Sequence, residues 1–371
     1  MMVVLVSPAF PTMVSQLRVP EESVGLVITL VTLPALVLTP ICGILSDRFG
    51  RRTVLVPAVI LFGIAGGCCA FAPDFNTLLV LRFIQGIGAA PIFNTNTVII
   101  SDIFSGNSRA EAMGINTTVS YIGYIIYPIL GGFLASLGWQ YTFLPFFLAV
   151  PLGIYAYFRL KYPEPRNKQN FKVYLKSSLN YMRNIQVAWL FLTAILIYII
   201  FYGGYLDYFS LMMGSRFQAS PVVIGFMVAI VGVVIAIVSL QAGRVNRRFL
   251  PAAVVTASFV IYAIGMFIIP PVPGIWWCLL PTIIIGIAHG LASPSMALLA
   301  SYMTPAEYRA GFMSVYGLMI NLGMTLAAPI TGLAYTMSGM NLDATFIAAG
   351  VIALIVPLAA FALGQKRVPL R

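Results

Sequence analysis

The chain has 371 residues, 60% of them hydrophobic and only 8% charged, with mean hydropathy +0.97 and net charge +11. No soluble globular surface can be built from that composition, so the chain must live in lipid. Apolar runs recur along its whole length, and about 20 helical residues at about 1.5 Å each cross a hydrocarbon core of about 30 Å, where helices satisfy their own backbone groups.

In chain order the pattern predicts spans near 2–14, 23–45, 53–72, 77–101, 112–135 and 140–159, then near 187–209, 221–242, 250–269, 275–300, 311–336 and 343–364. The first is short for a crossing, because a polar stretch begins at Ser15, and a missing start is the expectation. A signal peptide would need a basic n-region and a small-residue cleavage site, which Met1 to Val14 lacks. After the second span the chain reads Gly43, Leu45, Asp47, Arg48, Gly50, Arg51 and Arg52, the pattern G-x-L-x-D-R-x-G-R-R. Its glycines permit a tight reversal, Asp47 supplies a fixed negative charge at a membrane boundary, and the arginines hold the loop on one side.

The fourth span carries Arg82, Gln85, Gly86, Gly88, Ala89 and Ala90. At 100° per residue, Arg82, Gln85, Gly86, Ala89 and Asn96 fall on one stripe. An arginine within the apolar core costs several kcal/mol unless it is paired or hydrated, which marks Arg82 as a pathway candidate; snorkelling to the near surface is the alternative. The fifth span reads Gly123, Pro128, Gly131 and Gly132, small residues that let helices approach closely and a proline expected to bend the span.

Between Tyr162 and Asn184 the apolar pattern stops, with Pro163, Pro165 and lysines at four-residue intervals. The chain is therefore read as a bundle over 1–160, a basic linker over 161–185 and a second bundle over 186–371. In the seventh span Asp207 is the one acid well inside the second half, about 180° from Tyr198 and roughly 140° from Tyr202 on an ideal helix; Gly203 and Gly204 are a candidate helix break. Asp207 reads as a proton site or as a solvated helix end, and the tyrosines as cavity lining. In the tenth span Thr282, Gly286, His289, Ser293 and Met296 share a stripe. His289, the only histidine, has an ordinary pKa near 6.5 and reads equally as a proton carrier or a neutral interhelical hydrogen-bonding group.

The two sides of the linker resemble each other at an offset of 200 residues. Gly86 and Ile87 match Gly286 and Ile287; Ser101, Arg109, Ala110 and Met113 match Ser301, Arg309, Ala310 and Met313; Gly123 and Gly132 match Gly323 and Gly332. An even number of spans per repeat keeps both in one orientation, so the axis relating them lies along the membrane normal, with a cavity between them. If the even-numbered connections face the cytosol, that side holds 18 of the 21 Lys and Arg residues. This places both termini in the cytosol and accounts for the basic charge without nucleic acid. Binding of the basic linker to acidic headgroups is a secondary reading.

Together these motifs resemble the major facilitator superfamily, and specifically its twelve-span drug:proton antiporters. The resemblance covers the whole chain in topology. It implies an all-α membrane protein of two six-helix bundles related by a pseudo-two-fold axis along the membrane normal. It further implies a latch in which Asp47, Arg51 and Asp102 form a charge cluster holding the outward-open state. Gly123, Pro128, Gly131 and Gly132 match the motif associated with exporters, with the departure that Tyr127 stands where glycine is usual. The repeat of the first motif after span eight is worn to Gly243, Arg244, Arg247 and Arg248. Many related antiporters carry an acid in span one; Met1 to Val14 has none.

No Gly-Lys dipeptide exists, which removes a P-loop. Cys42, Cys68, Cys69 and Cys278 lack metal-ligand spacing. No cofactor, metal or enzymatic chemistry is expected. The expected function is proton-coupled export of small amphipathic or hydrophobic compounds by a monomer in the cell membrane. Its partners would be lipid, protons and a small-molecule substrate. An uptake carrier for a metabolite is the alternative, and a transporter-like sensor the more remote one.

Overall fold

The computed structural model describes residues 2–104, 106–159, 185–303 and 309–362. The predicted linker over 161–185 lies outside the described residues except for Ile185, which opens a helix.

Twelve apolar helices account for the described chain. In the first half they are α1 Val4–Leu17, α2 Leu26–Phe49, α3 Arg51–Phe71, α4 Phe75–Ile103, α5 Gly106–Leu137 and α6 Trp139–Arg159. In the second they are α7 Ile185–Ser215, α8 Pro221–Arg248, α9 Pro251–Ile268, α10 Ile275–Tyr302, α11 Arg309–Met337 and α12 Leu342–Ala362. Among the described residues, ten helices are long and apolar enough to cross a membrane, and Val4–Leu17 and Leu342–Leu358 are shorter apolar stretches. The 32 residues of α5 extend over about 48 Å at about 1.5 Å per residue, well beyond the hydrocarbon core. Large apolar side chains such as Phe71, Phe158 and Leu240 are exposed, as a surface solvated by lipid tails requires.

Helix ends follow local chemistry. Asp74 caps α4: the Thr77 amide donates to Oδ1 at 2.8 Å and its hydroxyl to Oδ2 at 3.0 Å. These bonds hold the Asp74 carboxyl below its ordinary pKa. Ser220 caps α8 and Pro221 occupies its first turn. Gly50, at φ 89°, makes the reversal between α2 and α3 that the motif at Gly43 to Arg52 calls for. The faces can be named by charge. The α2–α3 and α8–α9 turns, with Arg48, Arg51, Arg52, Arg244, Arg247 and Arg248, define a basic face. The α1–α2, α5–α6 and α7–α8 turns define the opposite face.

The repeat seen in the sequence is present in the contacts. Thr39 on α2 donates to the Ala90 carbonyl on α4 at 3.0 Å, and Ser239 on α8 donates to the Gly290 carbonyl on α10 at 3.1 Å. Gly86 abuts the carbonyl of Val31, and Gly286 that of Val231. Arg18 and Gln218, each just past α1 or α7, both adopt left-handed backbone, at φ 52° and 50°. Every one of these pairs is separated by 200 residues, so the halves are superposable in register.

One expectation is corrected. Gly203 and Gly204 do not break α7. The chain from Ile199 to Asp207 stays helical but widens into π turns, because α11 presses on it: a Cβ at Gly203 would lie 2.6 Å from the Ala327 carbonyl and 2.7 Å from Thr331. Such widened turns cluster at functional positions.

Candidate functional site at the seam between the halves

The halves meet mainly where α5 crosses α8 and α2 crosses α11, with α1 packed on both α7 and α8. α5 crosses α8 where Gly132 faces Gly225: a Cβ on Gly132 would sit 2.5 Å from the Pro221 carbonyl, and one on Gly225 would strike the Pro128 carbonyl. The residues read as an exporter motif are thus the packing surface of this crossing, with Gly131 against Leu5 of α1. α2 crosses α11 at the symmetric place, where a Cβ on Gly25 would lie 2.5 Å from that of Ala328; Thr29 donates to the Thr325 carbonyl at 3.3 Å. α1 meets α7 where Pro11 packs on Gly214. Tyr335 on α11 donates to Glu21 Oε2 at 2.8 Å. These contacts lie toward the opposite face. Close approach through small residues is how helices associate without a hydrophobic drive.

Arg82 lies inside the first half and is fully buried. Its Nε donates to the Val27 carbonyl at 2.8 Å and its Nη1 to Gln85 Oε1 at 2.7 Å. The guanidinium lies 5.5 Å from the centre of the Phe143 ring and 6.0 Å from that of Phe146. Protein groups and ring faces therefore solvate it, and the snorkelling reading is not what the structure shows. Gln85 is held in turn by the absence of a side chain at Gly66, where a Cβ would collide with its amide.

The aromatic cluster lies on α7 and α10. Tyr198 and Tyr202 stack at 5.9 Å, and the Tyr202 hydroxyl meets that of Tyr124 on α5, across the seam, at 3.2 Å. Ser293, on the α10 stripe of His289, is half-buried. His289 is enclosed: its ring stacks on Phe201 at 4.2 Å, it meets Tyr198 edge-on at 5.9 Å, and Nδ1 pairs with the Tyr262 hydroxyl at 2.5 Å. Further along α7, the Tyr205 hydroxyl donates to Thr282 Oγ1 at 3.0 Å. The α7 tyrosines and the predicted stripe of α10 are thus brought together, with α10 gripping the widened segment at two points.

Asp207 ends that segment. Only 2% of its surface is exposed, and neither carboxylate oxygen has a hydrogen-bond partner among the described residues. It faces the seam: a Cβ on Gly25 would be 3.2 Å from Oδ2. The alternative of a solvated helix end does not describe this position. A buried carboxylate with no partner is stable when neutral, because an unpaired charge there costs several kcal/mol.

At the basic face, Gly43 and Arg48 are exposed, and Gly50, Arg51 and Arg52 are half-buried. The Arg52 guanidinium lies 4.3 Å from the centre of the Tyr157 ring, which ties the α2–α3 turn to α6. The side chains of Asp47, Asn96 and Asp102 lie outside the described residues. Sequence reasoning missed Tyr124, Phe201, Tyr262, Gly25, Glu21 and Tyr335. A signal existed for one of them, since Gly25 and Gly225 are a further glycine pair at the offset of 200; the aromatic residues give none, being ordinary core residues in an apolar chain.

Two six-helix halves in register, joined by small-residue crossings around buried ionisable groups, define a polytopic membrane transporter. The family assignment is equally direct. The sequence model of the Major Facilitator Superfamily matches residues 1–217 and 208–371, and the chain belongs to that superfamily. Multidrug resistance protein 1 of Bacillus subtilis (strain 168) is 27% identical over 301 residues, 79% of this chain and 75% of that protein. Multidrug resistance protein 2 of the same organism is 23% identical over 364 residues, 95% and 88%. Among solved structures, a mutant of the nucleoside transporter NupG superposes with TM-score 0.77 at 15% identity, covering 98% of this chain and 96% of that one. At that identity the likeness concerns the fold alone.

Proposed function

We propose that this protein is a proton-coupled exporter of small amphipathic or hydrophobic compounds, working by rocking of two bundles, 1–160 and 186–371, joined by the linker 161–185. The observation that carries it is Asp207, a carboxylate without a hydrogen-bond partner among the described residues, at the seam of a chain similar to multidrug resistance proteins. The basic face is cytosolic, as the placing of Lys and Arg requires, with both termini on that side, in the cell membrane. The state described is then closed to the outside, because the seam contacts lie on the opposite face.

In this reading the substrate meets Tyr198, Tyr202 and Ser293 between the halves, and Arg82 with Gln85 shapes the first-half wall. Asp207 exchanges one proton per cycle. It takes that proton from the outside and delivers it to the cytosol, and it is neutral when sealed at the seam because burial disfavours the charged form. His289 positions the tyrosines. Asp47, Arg51 and Asp102 bias the bundles at the cytosolic side. The protein acts as a monomer.

The test is transport in everted membrane vesicles under an imposed proton gradient, acid inside, with lipophilic cations and neutral amphipathic compounds. Accumulation that a protonophore abolishes is expected. Accumulation that is unaffected by the gradient would remove proton coupling, and substrate movement only in the opposite direction would favour a metabolite uptake carrier.

A further inference from the structure

Asp207 is not the only unsatisfied polar group at the closed seam. Its neighbour Tyr208 is 3% exposed, and its hydroxyl is buried without a partner among the described residues. That hydroxyl points toward the turn before α2: a Cβ on Gly332 would lie 3.8 Å from it and 3.3 Å from the Glu22 carbonyl. The Tyr208 ring packs on that of Tyr335 at 5.3 Å, and the Tyr335 hydroxyl donates to Glu21 at 2.8 Å. Glu21 is half-buried at the edge of the opposite face. A carboxylate at the water boundary, two buried phenols in ring contact and a buried carboxylate thus follow one another from the surface inward. Glu21 belongs to the first half, whereas Tyr335, Tyr208 and Asp207 belong to the second.

The geometry points to a proton inlet on the outer face, in which Glu21 collects protons and Tyr335 and Tyr208 pass them to Asp207. This rests on the proposed role of Asp207 as the proton carrier. Each phenol accepts a proton on its oxygen and passes on its own, so both phenols end unchanged. Glu21 loses one proton and the Asp207 carboxylate gains it. The groups along this path, Glu21, Glu22, Tyr335, Tyr208 and Asp207, are carboxylic acids or phenols. Farther out, at the start of α12, Asp343 is paired with Arg216 at 2.5 Å. A path lined by acids and phenols attracts protons. The contact between Glu21 and Tyr335 also spans the seam, so parting of the halves breaks the inlet, and loading is tied to the conformational state.

The experiment is dye efflux from intact cells expressing the full chain, with external and internal pH varied independently. Tyr208→Phe removes one oxygen and keeps the ring. Glu21→Gln keeps the hydrogen-bond acceptor and removes the acid. For both, efflux at neutral external pH should fall about tenfold or more, the scale of losing a positioned proton-transfer group. The external pH profile should shift toward acid while the internal profile stays as in the wild type. A merely structural defect would lower both profiles together, and monodispersity in detergent checks folding. If Tyr208→Phe and Glu21→Gln both follow the wild-type external profile while Asp207→Asn is inactive, the inlet is overturned and the carrier stands. If Asp207→Asn also pumps as the wild type does, the carrier itself falls, and the inlet with it.

Discussion

Ser7 on α1 and Asp207 on α7 are equivalent positions of the two halves, 200 residues apart, and both bury side-chain oxygens without a hydrogen-bond partner among the described residues. One is a hydroxyl and the other a carboxylic acid. The fold therefore provides two matching buried polar sites, and only one of them is an acid.

Asp207→Asn should abolish proton-driven accumulation in everted vesicles, whereas His289→Gln should keep it. His289 is engaged by Tyr262 and stacked on Phe201, so its loss should appear as lower thermal stability, on the order of 1–3 kcal/mol for leaving a buried hydrogen-bonding group unpaired. Coupling lost in His289→Gln and kept in Asp207→Asn would reverse the assignment.

Gly132→Val should shift the protein toward the state that is open to the outside. The added carbons meet the Pro221 carbonyl, and overpacking of about 1–3 kcal/mol is comparable with the few kcal/mol that separate transporter states. The measurement is the distance between spin labels near the outer ends of α5 and α8. An unchanged distance together with wild-type transport would show that this crossing does not govern closure.

Asp47→Asn should insert normally and yet transport poorly, through loss of the charge in the last turn of α2 that biases one of two nearly equal states. Wild-type efflux with normal membrane abundance would show that this turn is not a latch.

A cysteine replacing Gly138 should react with an impermeant thiol reagent added to intact cells, and one replacing Gln169 should react only after permeabilisation. Gly138 lies at the turn between α5 and α6, on the face that lacks the arginine-rich loops. The reverse pattern would invert the membrane orientation and, with it, the direction of proton entry.

Helices and their order were legible in the sequence because each is an apolar run between polar turns, and predicted limits such as 221–242 for Pro221–Arg248 miss by a few residues where polar turns extend a helix past the bilayer. The offset of 200 was also legible, since duplicated glycines survive where two backbones touch. The environment of Asp207 was not. Periodicity placed it on α7 and left it either hydrated or buried; what decides is Gly25 and Ala328, more than a hundred residues away on either side in the chain, closing over it. The widened turns from Ile199 to Asp207 were equally hidden, because an ideal 100° step assumes a regular helix. His289 was found by type alone, and its enclosure depends on Tyr262 and Phe201, which no motif distinguishes.

The shared register of the halves has a mechanical consequence. Where the Thr39 and Ser239 bonds repeat, each half is braced internally in the same way, so the halves are rigid arms of equal build. The acid, however, hangs on one arm only. With Asp207 as the proposed proton carrier, protonation acts off the symmetry axis, as a weight placed on one pan of a balance.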